Sequence, residues 1–129
     1  MTSNDAVAQA SLARQTLALF VERGESLTDG RHIIHYFYGD ADRLPALRSE
    51  LEKGGYSVSE TAAASGLTAE TIGVINENWA DETMEQMCGL ADRFIMEYDG
   101  WEASMVRHPQ LAAPARKVGW LKTLFGRRD

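Results

Sequence analysis

The chain has 129 residues, of which 44% are hydrophobic and 25% charged, and a formal net charge of -6. This composition is typical of one globular domain with enough apolar side chains for a core. It argues against a membrane-spanning helix, since no run of about 18 apolar residues occurs, and against an internal disulfide, since Cys88 is the single cysteine. The N-terminus lacks the charged-then-apolar order of a secretory signal, so we expect a cytoplasmic protein.

The charge is distributed unevenly along the chain. Residues 1–106 have a balance of -11, whereas residues 107–129 have a balance of +5. An acidic body repels the phosphates of nucleic acid and attracts basic protein segments. We therefore expect a protein partner and no direct nucleic-acid ligand.

The first half of the chain predicts a helix, a strand and a second helix. Residues Ala6–Arg23 contain no proline or glycine and place apolar side chains at helical spacing. The run RHIIHYFYG at 31–39 is rich in β-branched and aromatic residues, which favours a strand. A helix follows that Asp40 or Asp42 can cap, and it ends at the Gly-Gly pair after Lys53.

The second half predicts three strands and one long helix. In the second of these strands Ile72 and Val74 are expected to share a face. The helix has a continuous apolar stripe and acidic residues in its first turns, which suit the positive end of the helix dipole. In chain order the segments are a strand YSVSE at 56–60, a loop or weakly paired ribbon TAAASGLTA at 61–69, a strand ETIGVINEN at 70–78, a helix from near Asp81 to Ile95 and a strand WEASMV at 101–106.

The predicted order is βαββαβ behind an extra N-terminal helix. This is the ferredoxin-like, split βαβ arrangement, an α+β fold in which two helices cover one face of an antiparallel sheet. The opposite face needs a cover or a partner, either the N-terminal helix as a lid or a second copy in a homodimer. We divide the chain into an N-terminal helix at 1–28, the ferredoxin-like domain at 29–108 and a basic tail at 109–129.

The stretch YDGWE follows the last predicted helix and holds Tyr98, Asp99, Gly100, Trp101 and Glu102. Its Asp-Gly pair is a turn signal, because glycine tolerates positive φ angles, and the tryptophan would then pack as the first residue of a strand. Tryptophan and tyrosine are also favoured anchors in protein interfaces. The stretch is therefore either a structural corner or a protein-interaction surface, and all five residues are interaction candidates.

Four further acidic candidates cluster at the start of the long helix: Glu77, Asp81, Glu82 and Glu85. Helix capping and solvation explain such a cluster without any function. Alternatively, the four carboxylates form an acidic face that steers an Arg- and Lys-rich segment of a partner protein into contact.

Motifs that carry chemistry are missing from the sequence. It has no glycine-rich phosphate loop, no GxSxG or HExxH motif and no cysteine pair. His32 and His35 are three residues apart on a predicted strand, so they point to opposite faces and cannot bind one metal ion together. We therefore predict no catalytic, metal-binding or cofactor-binding residues and expect a protein that is not an enzyme.

Three stretches between about Asp29 and Val106 occur together in a recognisable order. They are HIIHYFYGD, LEKGGYSVSE and above all LADRFIMEYDGWEASM, in which an acidic helix runs into the aromatic YDGW. This block resembles the family called regulator of ribonuclease E activity B. The resemblance implies a ferredoxin-like domain that binds an RNA-degrading endonuclease, or its scaffold, and restrains its activity without catalysis. Family members often carry strongly acidic tails, whereas the tail here is basic.

A nucleic-acid-binding module is the alternative function. It would use the aromatic sheet face around Tyr36 and Tyr38 as a stacking platform, as RNA-recognition domains do. Such a platform should be surrounded by basic residues, and the body of this chain is acidic. A small-molecule pocket between sheet and lid is a third hypothesis, for which the sequence offers no polar constellation.

The tail ends in RKVGWLKTLFGRRD, which allows a short amphipathic helix with Val118, Leu121 and Phe125 on one side. Pro109 and Pro114 favour a hinge between the body and this tail. Three roles are open for the tail: docking on the acidic surface of its own domain, disorder, or attachment to a membrane surface or a partner.

Overall fold

The computed structural model describes residues 4–61, residues 65–104 and the backbone of residues 120–122. Within them the α+β, ferredoxin-like prediction is confirmed, with a short fifth strand in addition. The elements are the helices α1 (Ala6–Glu22), α2 (Leu44–Lys53) and α3 (Glu77–Arg93), the strands β1 (Arg31–Gly39), β2 (Ser57–Glu60), β3 (Gly66–Gly73), β4 (Met96–Ser104) and β5 (Trp120–Lys122), and a 3-10 turn at Ala41–Arg43.

The sheet has the strand order β2-β3-β1-β4-β5, and every neighbouring pair is antiparallel. Along the central strand β1, buried and half-buried residues alternate because successive side chains point to opposite faces. Ile33 and Phe37 lie on the buried side, which we call the covered face. Ile34, Tyr36 and Tyr38 lie on the other side, which we call the open face.

The helices pack on the covered face. The Arg31 guanidinium, which is buried on this face, lies 4.5 Å from the centre of the Phe20 ring of α1. The interpretation of the N-terminal helix as a lid over the opposite face is therefore wrong, because its apolar stripe joins the common core instead. The core contains Leu17 and Phe20 of α1, Leu47 and Leu51 of α2, Met84, Met87 and Cys88 of α3, and Ile33, Phe37, Tyr98 and Trp101 of the sheet.

Side-chain caps fix the starts of α1 and α3. The Asp5 carboxylate accepts hydrogen bonds from two backbone N–H groups of α1, and the Asn76 side chain accepts one from the N–H of Trp79. Helix α3 consequently begins four residues before the predicted Asp81. At α2, neither Asp40 nor Asp42 provides a cap, because a 3-10 turn leads directly into the helix.

Strand β3 lies earlier than the predicted strand at 70–78. The small-residue stretch pairs on both sides, with β1 and with β2, and the strand ends at Gly73. Ile72 and Val74 were expected to share a face of one strand, but Val74 lies beyond the end of β3, and the two side chains are 76% and 41% exposed. A side chain at Gly66 would force its neighbours to shift, because a Cβ there would lie 2.5 Å from a ring carbon of Tyr38 and 2.6 Å from the backbone oxygen of Phe37.

Among the residues that the structure describes, no helix is both long and apolar enough to cross a membrane.

Candidate protein-interaction surface

The YDGWE stretch lies inside β4 and is not a turn between helix and strand. The corner is made four residues earlier, where α3 ends at Arg93 and Ile95 adopts a φ of 56°. Within β4, Gly100 has a φ of 97° and marks a β-bulge opposite β1. The interpretation of Asp99 and Gly100 as a turn is therefore wrong, although the positive φ expected of this glycine is present.

The bulge places two aromatic rings on the same side of the sheet. In a regular strand, residues three apart point to opposite faces. Here Tyr98 pairs with Phe37 and Trp101 pairs with His35, so both rings lie on the covered face and are 0% exposed. Asp99, which lies within the bulge, is only 5% exposed. These side chains contribute to the core, and a partner would reach them only through a change in the fold.

His35 is the polar centre of this buried aromatic cluster. Its Nδ1 lies 2.8 Å from the hydroxyl of Tyr98, and its ring stacks on Trp79 with 6.1 Å between centroids. Trp79 in turn meets Trp101 edge to face at 4.8 Å. Burial lowers the pKa of His35 to about 3, so the imidazole is neutral at physiological pH. The cluster is therefore an uncharged, aromatic part of the core.

The outer edge of β4 is covered at both ends. The Asn4 side chain accepts a hydrogen bond from the N–H of Tyr98 and donates one to the carbonyl of Met96, both at 2.8 Å. At the other end, β5 pairs with Glu102–Ser104. An uncovered edge strand invites pairing with another chain, and these contacts cover that edge. Within residues 4–61 and 65–104, the open face is then the larger part of the sheet that no helix covers.

The open face combines half-buried aromatic and aliphatic side chains with carboxylates. Ile34 lies in register between Glu70 of β3 and Glu102 of β4, and Tyr38 lies beside Glu97. Described residues on this face of β1 to β4 include no lysine or arginine. The surface around these tyrosines is therefore acidic, and repulsion of phosphates opposes its use as a nucleic-acid platform.

Two polar contacts order the open face. The Tyr36 hydroxyl donates a hydrogen bond to the Glu102 carboxylate, and burial followed by the Glu102 charge raises the pKa of Tyr36. His32 Nε2 lies 2.8 Å from a carboxylate oxygen of Glu70. These contacts hold both glutamates near the centre of the face while leaving part of their surface in water.

The acidic residues of α3 lie on another side of the molecule. Glu77, Asp81, Glu82 and Glu85 are all exposed, and Asp81 pairs with Arg14 of α1. Since the helices cover one face of the sheet, these carboxylates point away from the open face. We call this set the helix-face acids.

The structure thus separates the predicted interaction residues. The buried bulge holds Tyr98 to Trp101, the open face holds Glu102, and the helix-face acids form a third group. Sequence reasoning missed Glu70 and Glu97 as neighbours of Glu102. The alternation of side chains between the two faces of β3 and β4 could have placed both glutamates on the open face. The predicted bounds of both strands were wrong, so this alternation was not visible.

The histidines are placed as predicted, on opposite faces of β1, with His32 half-buried on the open face and His35 in the core. In the ranges 4–61 and 65–104, no three His, Cys, Asp or Glu side chains are arranged to hold a metal ion. Burial raises the pKa of Cys88 to about 12, which keeps this thiol protonated.

The tail prediction is tested at three residues. Trp120–Lys122 form strand β5, so the predicted helix does not run through them; their register partners are Glu102–Ser104. The rest of the predicted tail helix, and the expected hinge at Pro109 and Pro114, lie outside the described residues.

Comparison with known proteins identifies one family. Residues 11–103 match the family described as regulator of ribonuclease activity B. The match covers well over half of the chain, from α1 through β4. No curated protein matches the chain.

Proposed function

Since the chain belongs to the family of regulators of ribonuclease activity B, we propose that it binds an RNA-degrading endonuclease of the ribonuclease E type, or its scaffold protein, and lowers its activity. The chain would act by occupying a surface of the partner, without catalysis of its own. The cytoplasm is the compartment that this role requires.

The open face is the contact surface that we propose. The observation that carries this choice is a row of half-buried apolar and aromatic side chains, Ile34, Tyr36 and Tyr38, bordered by glutamates. Aromatic residues supply contact area, and the surrounding carboxylates supply charge complementarity and faster association. Such a surface fits a segment of the partner that combines Arg or Lys with apolar residues.

A second copy of the chain fits this face less well. A dimer through the open face would place Glu70, Glu97 and Glu102 of one copy against the equally acidic face of the other. Like charges brought together across an interface oppose association. The charge therefore favours a basic partner over a homodimer at this surface.

The experiment compares two charge reversals that each change two glutamates. Glu97→Lys with Glu102→Lys alters the open face, and Glu82→Lys with Glu85→Lys alters the helix-face acids by the same charge. Each full-length variant is titrated into an RNA-cleavage assay with purified ribonuclease E. Asp99 is left unchanged, because a lysine at this buried position would destabilise the fold.

We expect the open-face variant to need roughly tenfold or more protein for half-inhibition, because losing close interfacial charge pairs costs about 1.5 kcal/mol or more. The helix-face variant should remain within about twofold of the wild type. If the helix-face variant instead needs more protein for half-inhibition than the open-face variant, the contact surface lies on α3. If the wild type neither binds nor inhibits the enzyme, the proposed function is wrong, and tight, salt-resistant binding of the chain to RNA would favour the nucleic-acid alternative.

A further inference from the structure

The open face has a second candidate occupant within the chain itself. We propose that the basic end segment, residues 123–129, docks on the open face of its own chain and competes there with the partner. The competition rests on the proposed function, whereas the docking itself does not. The segment has the sequence TLFGRRD and follows β5 directly.

Strand β5 anchors this segment beside the face. Trp120–Lys122 pair antiparallel with β4, and Lys122 is the register partner of Glu102. The chain direction of β5 is opposite to that of β4, so continuing past Lys122 leads toward the end of β4 that holds Glu97. The segment therefore starts next to one open-face glutamate and leads toward another.

The segment is long enough to cross the face. The farther glutamate, Glu70 of β3, is three strand spacings from β5, or about 14 Å. Arg127 is five residues beyond Lys122, and five extended residues span up to about 17 Å. Arg127 and Arg128 can thus reach the glutamates on either side of β1.

The chemistry of the segment complements that of the face. Leu124 and Phe125 provide apolar contact area, and Arg127 and Arg128 provide cations, against the single carboxylate of Asp129. The face offers apolar side chains on β1 for the first two residues and glutamates around them for the two arginines. The helix-face acids offer charge as well, but they lie on the side of the molecule away from the open face.

Nuclear magnetic resonance on the full chain tests the docking without any partner. Arg127→Glu with Arg128→Glu reverses the charge of the segment, and Arg116→Glu with Lys117→Glu makes the same change before β5. We expect the first variant to shift the amide resonances of Tyr36, Tyr38 and Glu97 and the second to leave them in place. Equal shifts in both variants, shifts in neither, or shifts confined to α3 would overturn the proposal.

A peptide of residues 123–129 provides an independent test. A tethered segment competes at an effective concentration in the millimolar range, so the added peptide should bind the wild type roughly tenfold more weakly than the Arg127→Glu, Arg128→Glu chain. Equal affinity for the two chains, or no change at the open-face resonances of either chain, would contradict docking. The ribonuclease assay is separate, so docking without inhibition would refute the proposed function and leave this inference intact.

Discussion

The two faces of β1 put similar side chains to different uses. On the covered face, His35 is fully buried between Tyr98 and Trp79, and burial keeps it neutral. On the open face, Tyr36 donates a hydrogen bond to the Glu102 carboxylate. The comparison shows that the aromatic residues of one strand join an uncharged core on one face and lie among half-buried carboxylates on the other.

The largest effect expected from this comparison is the loss of a covered-face ring. Trp101→Ala should lower the free energy of unfolding by about 3–5 kcal/mol, the usual cost of removing a buried aromatic side chain. Tyr38→Ala removes a half-buried ring from the open face and should cost less than half as much. Urea unfolding measures both values, and similar losses would show that the faces do not differ in this way.

A pH effect of intermediate size is expected from His35. In the unfolded chain its pKa is near 6.5 and in the folded chain about 3, so the unfolded state binds more protons between these values. The free energy of unfolding linked to His35 is therefore highest above pH 6.5. It falls as the pH decreases, by about 2 kcal/mol from pH 6.5 to 5.

The measurement is urea unfolding at several pH values for His35→Phe and for His32→Gln as its control. The first variant should lose most of the decrease below pH 6.5, because it lacks the buried imidazole, and the second should keep it. If the free energy of unfolding of His35→Phe decreases with pH as steeply as that of the wild type, the His35 imidazole is not the cause of the decrease.

The smallest effect is expected at the edge between the two faces. Asn4→Ala removes the hydrogen bonds to the backbone of Met96 and Tyr98 and should cost about 1–2 kcal/mol. Hydrogen exchange of the Tyr98 amide should become faster. Asn78→Ala, at an exposed position of α3, serves as the control and should change stability by less than about 0.5 kcal/mol. Unchanged Tyr98 exchange would mean that Asn4 does not protect this edge.

Local sequence patterns predicted the element order and the two sides of β1. Strand β1 alternates over its whole length, and period two is a direct consequence of strand geometry. The same patterns did not predict the correct bounds of β3. Its stretch GLTAET has weak strand propensity but lies between β1 and β2. Packing against neighbouring strands overrode the propensity of this stretch.

The bulge in β4 was beyond reach for a different reason. An Asp-Gly pair is compatible with a turn and with a bulge, because both need a positive φ. Only the pairing with β1 decides between them, and it depends on residues more than sixty positions away. The acidity of the proposed contact surface could be predicted from composition, but its location could not, since the face covered by the helices had to be known first.

Gly66 gives the open face a dependence on backbone shape. The ring of Tyr38 and the carbonyl oxygen of Phe37 occupy the space where a β-carbon would project, at 2.5 Å and 2.6 Å. The Tyr38 ring therefore packs directly against the main chain at Gly66. The shape of the open face at this point depends on the lack of a side chain there. The shape of the proposed contact surface therefore depends on a residue that supplies neither charge nor side-chain area.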